Sequence, residues 1–527
     1  MKRIAFLLIS AFGGLQLTAA GQYWQQRVDY NIKVSLNDKD HTLKGTLDLD
    51  YTNNSPDKLE FIWFHCWPNA YKNDQTALAK QLARDRDGRK EWGDLKEKGF
   101  IDSLDFSVNN EKVKWVPDAV NIDIVKLLLP TALAPGEKVH ISTPFFVKLP
   151  SFISRSGHVD QTYMVTQWYP KPAVYDRKGW HPIPYLDQGE FYSEFGSFDV
   201  AITVPAGYVV GATGKMQNTD ELNKYKQIGI FNDHRSRNAA AKMYSPDPGV
   251  ASKTLHYLAD SVHDFAWFAD KEFIIEYDTL ALEQSRRVID VFSYHHYKGN
   301  PLWNESISYI KDAVKHYSWY IGEYPYPTVA AVEGPAQQSS GGMEYPMITL
   351  ITSPKADVEV LDGTIAHEVG HNWFYGVLGS NERDHPWMDE GMNSYFQFIY
   401  EAEKYKANSL FGNSIPSDIR RKPTDEFLDN LYLVFGAIPI EPKIDQPAAN
   451  YRNMDEYGMG VYLKTAIWLH QEEQEIGKSL IHLAFLNYFT EWKFKHPYPE
   501  DVKASFEKTL HRNLDEFFGK LDKKGAL

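Results

Sequence analysis

The sequence predicts a multidomain α+β protein, with an antiparallel β-sandwich-like domain first and a mostly α-helical domain after it. Three observations carry this. The 527 residues exceed what one ordinary core accommodates. From Tyr23 to about Tyr244 apolar residues recur at every second position, the period of half-buried strands. Past residue 250 the dominant spacing changes to three and four, the period of helices. The expected division is therefore a leader over residues 1–20, a β-rich domain over 21–250 and a helical domain over 251–527.

The leader is read from Lys2 and Arg3, the apolar run over 4–17 and the small residues Thr18-Ala19-Ala20. Gly13, Gly14 and Gln16 interrupt a run already too short for a membrane span. An exported, soluble protein, periplasmic or secreted, is expected. Strands follow. Tyr30, Ile32, Val34 and Leu36 alternate with polar residues, as do Leu43, Leu47, Leu49 and Tyr51, then Val139, Ile141, Phe145 and Val147, then Phe198, Val200, Ile202 and Val204. Residues 83–99 carry dense charge of both signs and read as a solvated loop. Residues 165–196 are rich in Pro, Trp and Tyr without periodicity, which suits an ordered loop packed by its own rings, either a plug or a wall of a site.

The helical part begins with Ile307, Ile310, Val314, Tyr317 and Ile321, which share one face and end at Gly322. Residues 405–457 are long and polar and suit a segment bordering a cleft. Cys66 is the only cysteine, so an intrachain disulfide and a Cys-ligated metal are both excluded, and within FIWFHCWP it reads as core. The formal charge is −14, or −16 without Lys2 and Arg3, which argues against nucleic acid or an anionic membrane surface as partner.

The stretch HEVGHNWFYGVLGSNERDHPWMDEGMNSYF, residues 367–396, carries the chemistry. His367 and His371 are four apart, so on a helix their imidazoles lie on one face and supply half of a tetrahedral zinc site. Glu368 lies about 100° round the helix, beside the metal rather than on it, where a carboxylate can take a proton from water. Glu390 follows His371 after eighteen intervening residues and supplies a third ligand, which leaves one position open, as catalytic zinc sites require. The plainer alternative is that His371 and Glu390 are ordinary polar residues beside a buried helix. A bare HExxH arises by chance in roughly a few chains per hundred, and the spaced Glu390 makes the coincidence rarer. One zinc ion per chain is expected.

HEVGHNWF with Glu390 in WMDEG, preceded by GGMEY, resembles the zinc aminopeptidases of the aminopeptidase N and leukotriene hydrolase family, over nearly the whole chain after the leader. The resemblance implies a thermolysin-like catalytic domain, peptides with a free N-terminus as substrates, and His367, His371 and Glu390 as zinc ligands. It implies Glu368 as general base and acid. Gly341-Gly342-Met343-Glu344 matches the family's exopeptidase motif, in which the glycine-bearing edge strand pairs with the substrate backbone and Glu344 would hold the α-amine. VYLKTAIWLH is similar to the segment opening on the tyrosine that stabilises the oxyanion, which points to Tyr462, with Tyr457 as competitor. Gln167 in VTQWYP corresponds to a polar residue beside the substrate amine.

Two departures bear on specificity. Tyr345 stands where the family usually has Asn, next to the amine anchor. No large C-terminal helical domain is expected, which leaves the cleft open to larger peptides or to closure by a homo-oligomer. The reading is an exported zinc aminopeptidase. Its rivals are a zinc endopeptidase, which needs no amine anchor, and an inactive peptide-binding member of the same fold, which the complete set of site residues argues against.

Overall fold

Alternating apolar residues fold the first half as expected. The computed structural model describes residues 23–84, 86–235, 239–296, 301–336, 341–353, 357–408, 415–436, 442–525 and 527. The leader over residues 1–20 lies outside the described residues. Strand Arg27–Asn37 buries Val28, Tyr30, Ile32, Val34 and Leu36 and exposes the residues between them. It pairs antiparallel with Thr42–Thr52, which pairs antiparallel with Lys138–Lys148. Its other edge runs parallel to Gly196–Pro205, with Tyr30 opposite Phe198, so one long sheet is mixed rather than purely antiparallel. Ser252–Val262 continues that sheet beyond Gly196–Pro205.

Two four-stranded sheets complete the β-rich part. One orders Gly157–Val159, Thr162–Val165, Trp267–Asp270 and Val209–Ala212; the other orders Lys171–Pro172, Leu59–His65, Ile124–Leu133 and Trp115–Pro117. The large sheet meets them through rings. Tyr30 and Phe198 lie against Tyr169, and Phe145 and Trp267 lie against Trp168. Aromatic pairs of this kind add about 0.5–1.5 kcal/mol each beyond the area they bury. Because Ser252–Val262 and Trp267–Asp270 pair only with strands of the first half, the β-rich part runs to Asp270 rather than ending at residue 250. The stretch 83–99 is not simply a loop either. Helix Arg86–Gly93 forms there, because Trp92 gives it one side to bury, with its indole N–H donating to Asp74 at 2.8 Å.

The second half is built on a five-stranded sheet ordered Phe273–Ala281, Val288–His296, Thr328–Glu333, Ile348–Ile351 and Gly342–Tyr345. Gly342–Tyr345 is antiparallel to Ile348–Ile351 and is the edge strand of this sheet among the described residues. Helix Ser306–Tyr320 buries Ile307, Ile310, Val314 and Tyr317. Helices Val358–Gly370 and Glu390–Tyr405 pack beside it, and helices Lys464–Ile476, Lys478–Trp492 and Pro499–Leu510 close the domain. Among the described residues no large helical domain follows them.

One continuous core joins the two halves. At the seam the buried Glu194 carboxylate accepts from His496 at 3.1 Å, and Asp176 accepts from Tyr192 at 2.7 Å and from Tyr498 at 2.6 Å. His296 makes a second tie, 3.1 Å from Asp270 at the end of the β-rich part and 3.5 Å from Glu333 in the catalytic sheet. Burial opposes protonation of His296, but the two carboxylates outweigh it and raise its pKa to about 9. A His raised in this way stabilises the fold fully below its unfolded pKa of about 6.5 and ceases to do so as pH rises through about 9. His296→Gln is expected to lower stability by about 1–3 kcal/mol at pH 6, with the gap from wild type closing by pH 10, as measured by thermal unfolding at both pH values.

Candidate active site

The two helices that carry the motif meet at their ends. Asp357 caps the first, its side chain accepting from the Val360 N–H, and the helix runs from Val358 to Gly370. It stops there, short of Trp373 and Val377. The chain turns back on itself, with Gly376 N–H donating to the His371 carbonyl at 2.8 Å and Tyr375 in the left-handed region at φ 68°. His371 sits at the helix C-cap, still bonded to the His367 carbonyl, so both imidazoles share a face. Asp389 is the N-cap of the second helix and Glu390 its first residue, where the helix dipole favours a carboxylate.

His367 Nε2 and His371 Nε2 lie 3.1 Å apart, and Glu390 Oε2 is 3.0 Å from the first and 3.3 Å from the second. The far nitrogens are committed. His367 Nδ1 lies 2.8 Å from Gln397 Oε1, and His371 Nδ1 lies 2.6 Å from Asp389 Oδ1. Both partners accept, so in neutral rings the hydrogen sits on Nδ1 and the two Nε2 lone pairs face the same gap. Two imidazole lone pairs and a carboxylate oxygen so close repel unless a cation lies between them. A tetrahedron of zinc–nitrogen bonds of about 2.0–2.1 Å has edges of about 3.4 Å, so the donor set fits zinc. Glu344 and Asp389 also lie within 4.8 Å of His371 and Glu390, but Asp389 spends Oδ1 on orienting His371. All are buried, with His371 1% and Glu390 4% exposed.

A cavity of about 360 Å³ opens on this set, lined by the strand Gly341 to Glu344, by His367, Glu368, Glu390, Gln397, Tyr457 and Tyr462, and by Arg155, Asp187 and Glu190 from the β-rich half. Glu368 Oε2 and Glu344 Oε1 are buried without a hydrogen-bond partner. Burial pushes the Glu368 carboxyl well above the carboxylate range and the Glu344 charge adds to this, against the pull of His371. Burial likewise raises Glu344. Burial opposes ionisation of Glu390 too, but His371 and His367 hold it well below the usual range. Gly342 is required here for a reason visible only in three dimensions: a Cβ at that position would meet Glu368 Oε1 at 2.6 Å.

Tyr462 and Tyr457 both reach the cavity. A π-helical turn over Gly458–Leu463 lies between helix Met454–Tyr457 and helix Lys464–Ile476. Residues five apart lie about 140° apart on an α-helix, whereas a turn closed i to i+5 brings them to one side. The Tyr462 hydroxyl donates to Glu390 Oε1 at 2.5 Å, and the Tyr457 hydroxyl faces Glu190 Oε2 at 3.4 Å. Tyr462 is thus the tyrosine at the metal set.

Two expectations fail. Gln167 does not line the cavity; its amide donates to Asp264 at 2.5 Å and accepts from Lys171 at 3.2 Å, inside the β-rich core. A buried lysine and aspartate there need a polar bridge, and Gln167 supplies it. Tyr345 points away from the cleft, buried against Phe268, so its replacement of Asn does not shape the first side-chain pocket. Gln397 and Asp389, which orient the histidines, were not singled out in the sequence. Gln397 follows Glu390 by seven residues, two turns on the same face, a signal that could have found it. Asp187 and Glu190 lie in the ring-rich stretch 165–196, which suited a wall of a site, whereas Arg155 gave no signal.

The fold and this donor set define a single-metal His, His, Glu hydrolase site, and the comparisons name its class. Residues 309–521 match the peptidase family M1 domain. Human aminopeptidase Q is 29% identical over 94 residues, 16% of this chain and 10% of that protein. Probable aminopeptidase 1 of Sulfurisphaera tokodaii is 21% identical over 221 residues, 40% of this chain and 27% of that protein. The matches thus span well under a third of either relative. An M1 zinc metallopeptidase from Deinococcus radiodurans has a similar fold, with TM-score 0.58 at 14% identity, covering 94% of this chain and 92% of that one. Legionella pneumophila aminopeptidase A, solved with aspartic acid, gives TM-score 0.63 at 13% identity, covering 97% of this chain and half of that one (50%).

His371→Ala is expected to abolish stoichiometric zinc binding. Asp389→Asn, which keeps a hydrogen-bonding partner but removes its charge, is expected to weaken zinc binding by about 10–100-fold, measured by competition against a chromogenic chelator.

Proposed function

We propose that this chain is an exported zinc aminopeptidase, periplasmic or secreted, that removes N-terminal residues from peptides. One observation carries the exopeptidase part: the buried Glu344 carboxylate, whose Oε1 has no hydrogen-bond partner, lies on an edge strand within reach of the zinc ligands. A buried carboxylate without a partner is costly, and a substrate ammonium satisfies it by charge-assisted hydrogen bonds. An endopeptidase has no use for such an anchor. The leader over residues 1–20 supports export.

His367, His371 and Glu390 would hold zinc, which when bound polarises the scissile carbonyl and favours deprotonation of water. The peptide enters as an added strand along Gly341 to Glu344, its backbone bonding to that sheet edge. Glu344 fixes the α-amine and so sets the register, placing the first peptide bond at the metal set. Glu368, its carboxyl raised by burial, takes one proton from water as the water oxygen bonds to the carbonyl carbon, and passes that proton to the leaving nitrogen as the C–N bond breaks. The Tyr462 hydroxyl, on the Glu390 side of the cavity, turns to donate to the oxyanion.

Glu368→Gln is expected to retain zinc and lower kcat by about 10³–10⁴-fold. Tyr462→Phe should lower kcat by about 10²–10³-fold with little change in KM. Glu344→Ala should lower kcat/KM on free-amine aminoacyl amides by about 10²-fold and leave zinc content intact. The deciding comparison is hydrolysis of free-amine against N-acetylated substrates, with and without a chelator. Equal cleavage of both sets would refute the aminopeptidase reading. Mass spectrometry of the protein secreted from its host tests export, with a mature start at Gly21 expected and an intact Met1 against it.

A further inference from the structure

The two histidines are oriented by unequal partners. His371 Nδ1 faces Asp389 Oδ1 at 2.6 Å, and a carboxylate accepts, which places the hydrogen on Nδ1 and the lone pair on Nε2. His367 Nδ1 faces an amide instead, Gln397 Oε1 at 2.8 Å. An amide carries an acceptor on one side and donors on the other. Turned through half a circle, Gln397 would offer an N–H to His367 Nδ1, and the ring would answer by carrying its own hydrogen on Nε2. That hydrogen would point into the gap between the ligands, where Glu390 Oε2 at 3.0 Å would accept it. The imidazole would then have no lone pair for zinc.

One contact decides which way the amide lies. Gln397 Nε2 donates to Glu401 Oε1 at 2.7 Å. Glu401 follows Gln397 by four residues on helix Glu390–Tyr405, so the two side chains are neighbours on one face. Both are buried, Gln397 2% and Glu401 1% exposed. A carboxylate accepts, so the NH2 end of the amide faces Glu401 and Oε1 is left for His367. The reversed amide would set one acceptor against another inside a nearly dry helix interface, a costly arrangement. Glu401 is not among the residues that line the cavity, so it acts on His367 only through Gln397.

We propose that Glu401 is a positioning residue for the metal, which through Gln397 holds His367 in the tautomer whose Nε2 lone pair faces zinc. The inference concerns metal capture and holds whichever peptides the site takes. Without Glu401 the amide is free to turn, and the hydrogen bond from His367 Nε2 to Glu390 favours the turned arrangement. Protein held in that arrangement must rearrange before it binds metal, so the observed affinity falls with the fraction so held. His371 needs no such relay, because its partner is itself a carboxylate.

The test is zinc affinity of the full chain, measured by competition against a chromogenic chelator. Glu401→Gln keeps the shape of the side chain but adds a donor, so it permits the turn and should weaken zinc binding about tenfold. Combining Glu401→Gln with Gln397→Glu exchanges the two groups and keeps the net charge. The carboxylate then faces His367 directly and the amide at 401 donates to it, so affinity should return to within about threefold of wild type. A role in packing alone predicts no such recovery. Wild-type affinity in Glu401→Gln, or weak binding in a folded exchange variant, would overturn the proposal. Should the exchange variant fail to fold, the nitrogen chemical shifts of the His367 ring in chelator-treated Glu401→Gln decide. Hydrogen on Nε2 there, against Nδ1 in the wild type, sustains the role of Glu401, and hydrogen on Nδ1 in both refutes it.

Discussion

Three electron-rich atoms facing one gap set the terms for the rest of this molecule. His367 Nε2, His371 Nε2 and Glu390 Oε2 lie 3.0–3.3 Å apart in a nearly dry interior. Holding them there requires two helix ends brought together, both histidines tied by their far nitrogens to Gln397 and Asp389, and a turn that stops the first helix just past Gly370. Each requirement is a packing problem solved elsewhere. Helix Ser306–Tyr320 backs both site helices, and Tyr317 lies against Trp373 just beyond the histidine pair. The many buried rings are what keep three like-natured ligands from drifting apart.

The carboxylates around that centre divide by environment. Glu390 is held ionised by the histidines, whereas Glu368 is pushed upward by burial and by the Glu344 charge, and Glu344 by burial and by the Glu390 charge. Groups whose environments drive them apart in this way suit different roles, and on the proposed mechanism Glu390 is the ligand, Glu368 moves the proton and Glu344 holds the substrate ammonium. Glu190 is also raised, to about 8, by burial, even with Arg155 opposing. Its carboxyl thus belongs to the wall rather than to the chemistry.

Much of this was legible in the residues. Alternation located the strands 27–37, 42–52, 138–148 and 196–205, because each buries one face. Spacing located the ligands, because four residues and a helix fix two imidazoles side by side. Failures came where contacts are not periodic. Gln167 matched a motif, yet Lys171 and Asp264 claim its amide. Tyr457 and Tyr462 looked like competitors because an α-helix would separate them, and only the π turn places both in the cavity. Asp187 and Glu190 sit in an aperiodic, ring-packed segment, where position depends on Arg383 and Arg155, two residues distant in sequence.

The clamp of Glu382 and Arg383 on residues 189–191 joins a loop of the β-rich half to the segment between the two site helices. Side chains from both halves thereby wall one cavity, held in register by a contact outside it. The helical half carries His367, Glu368, His371 and Glu390, and the β-rich half contributes Arg155, Asp187 and Glu190. Substitutions in the loop over 187–191 therefore alter the cavity wall without touching the metal set, so long as the backbone carbonyls still face Arg383.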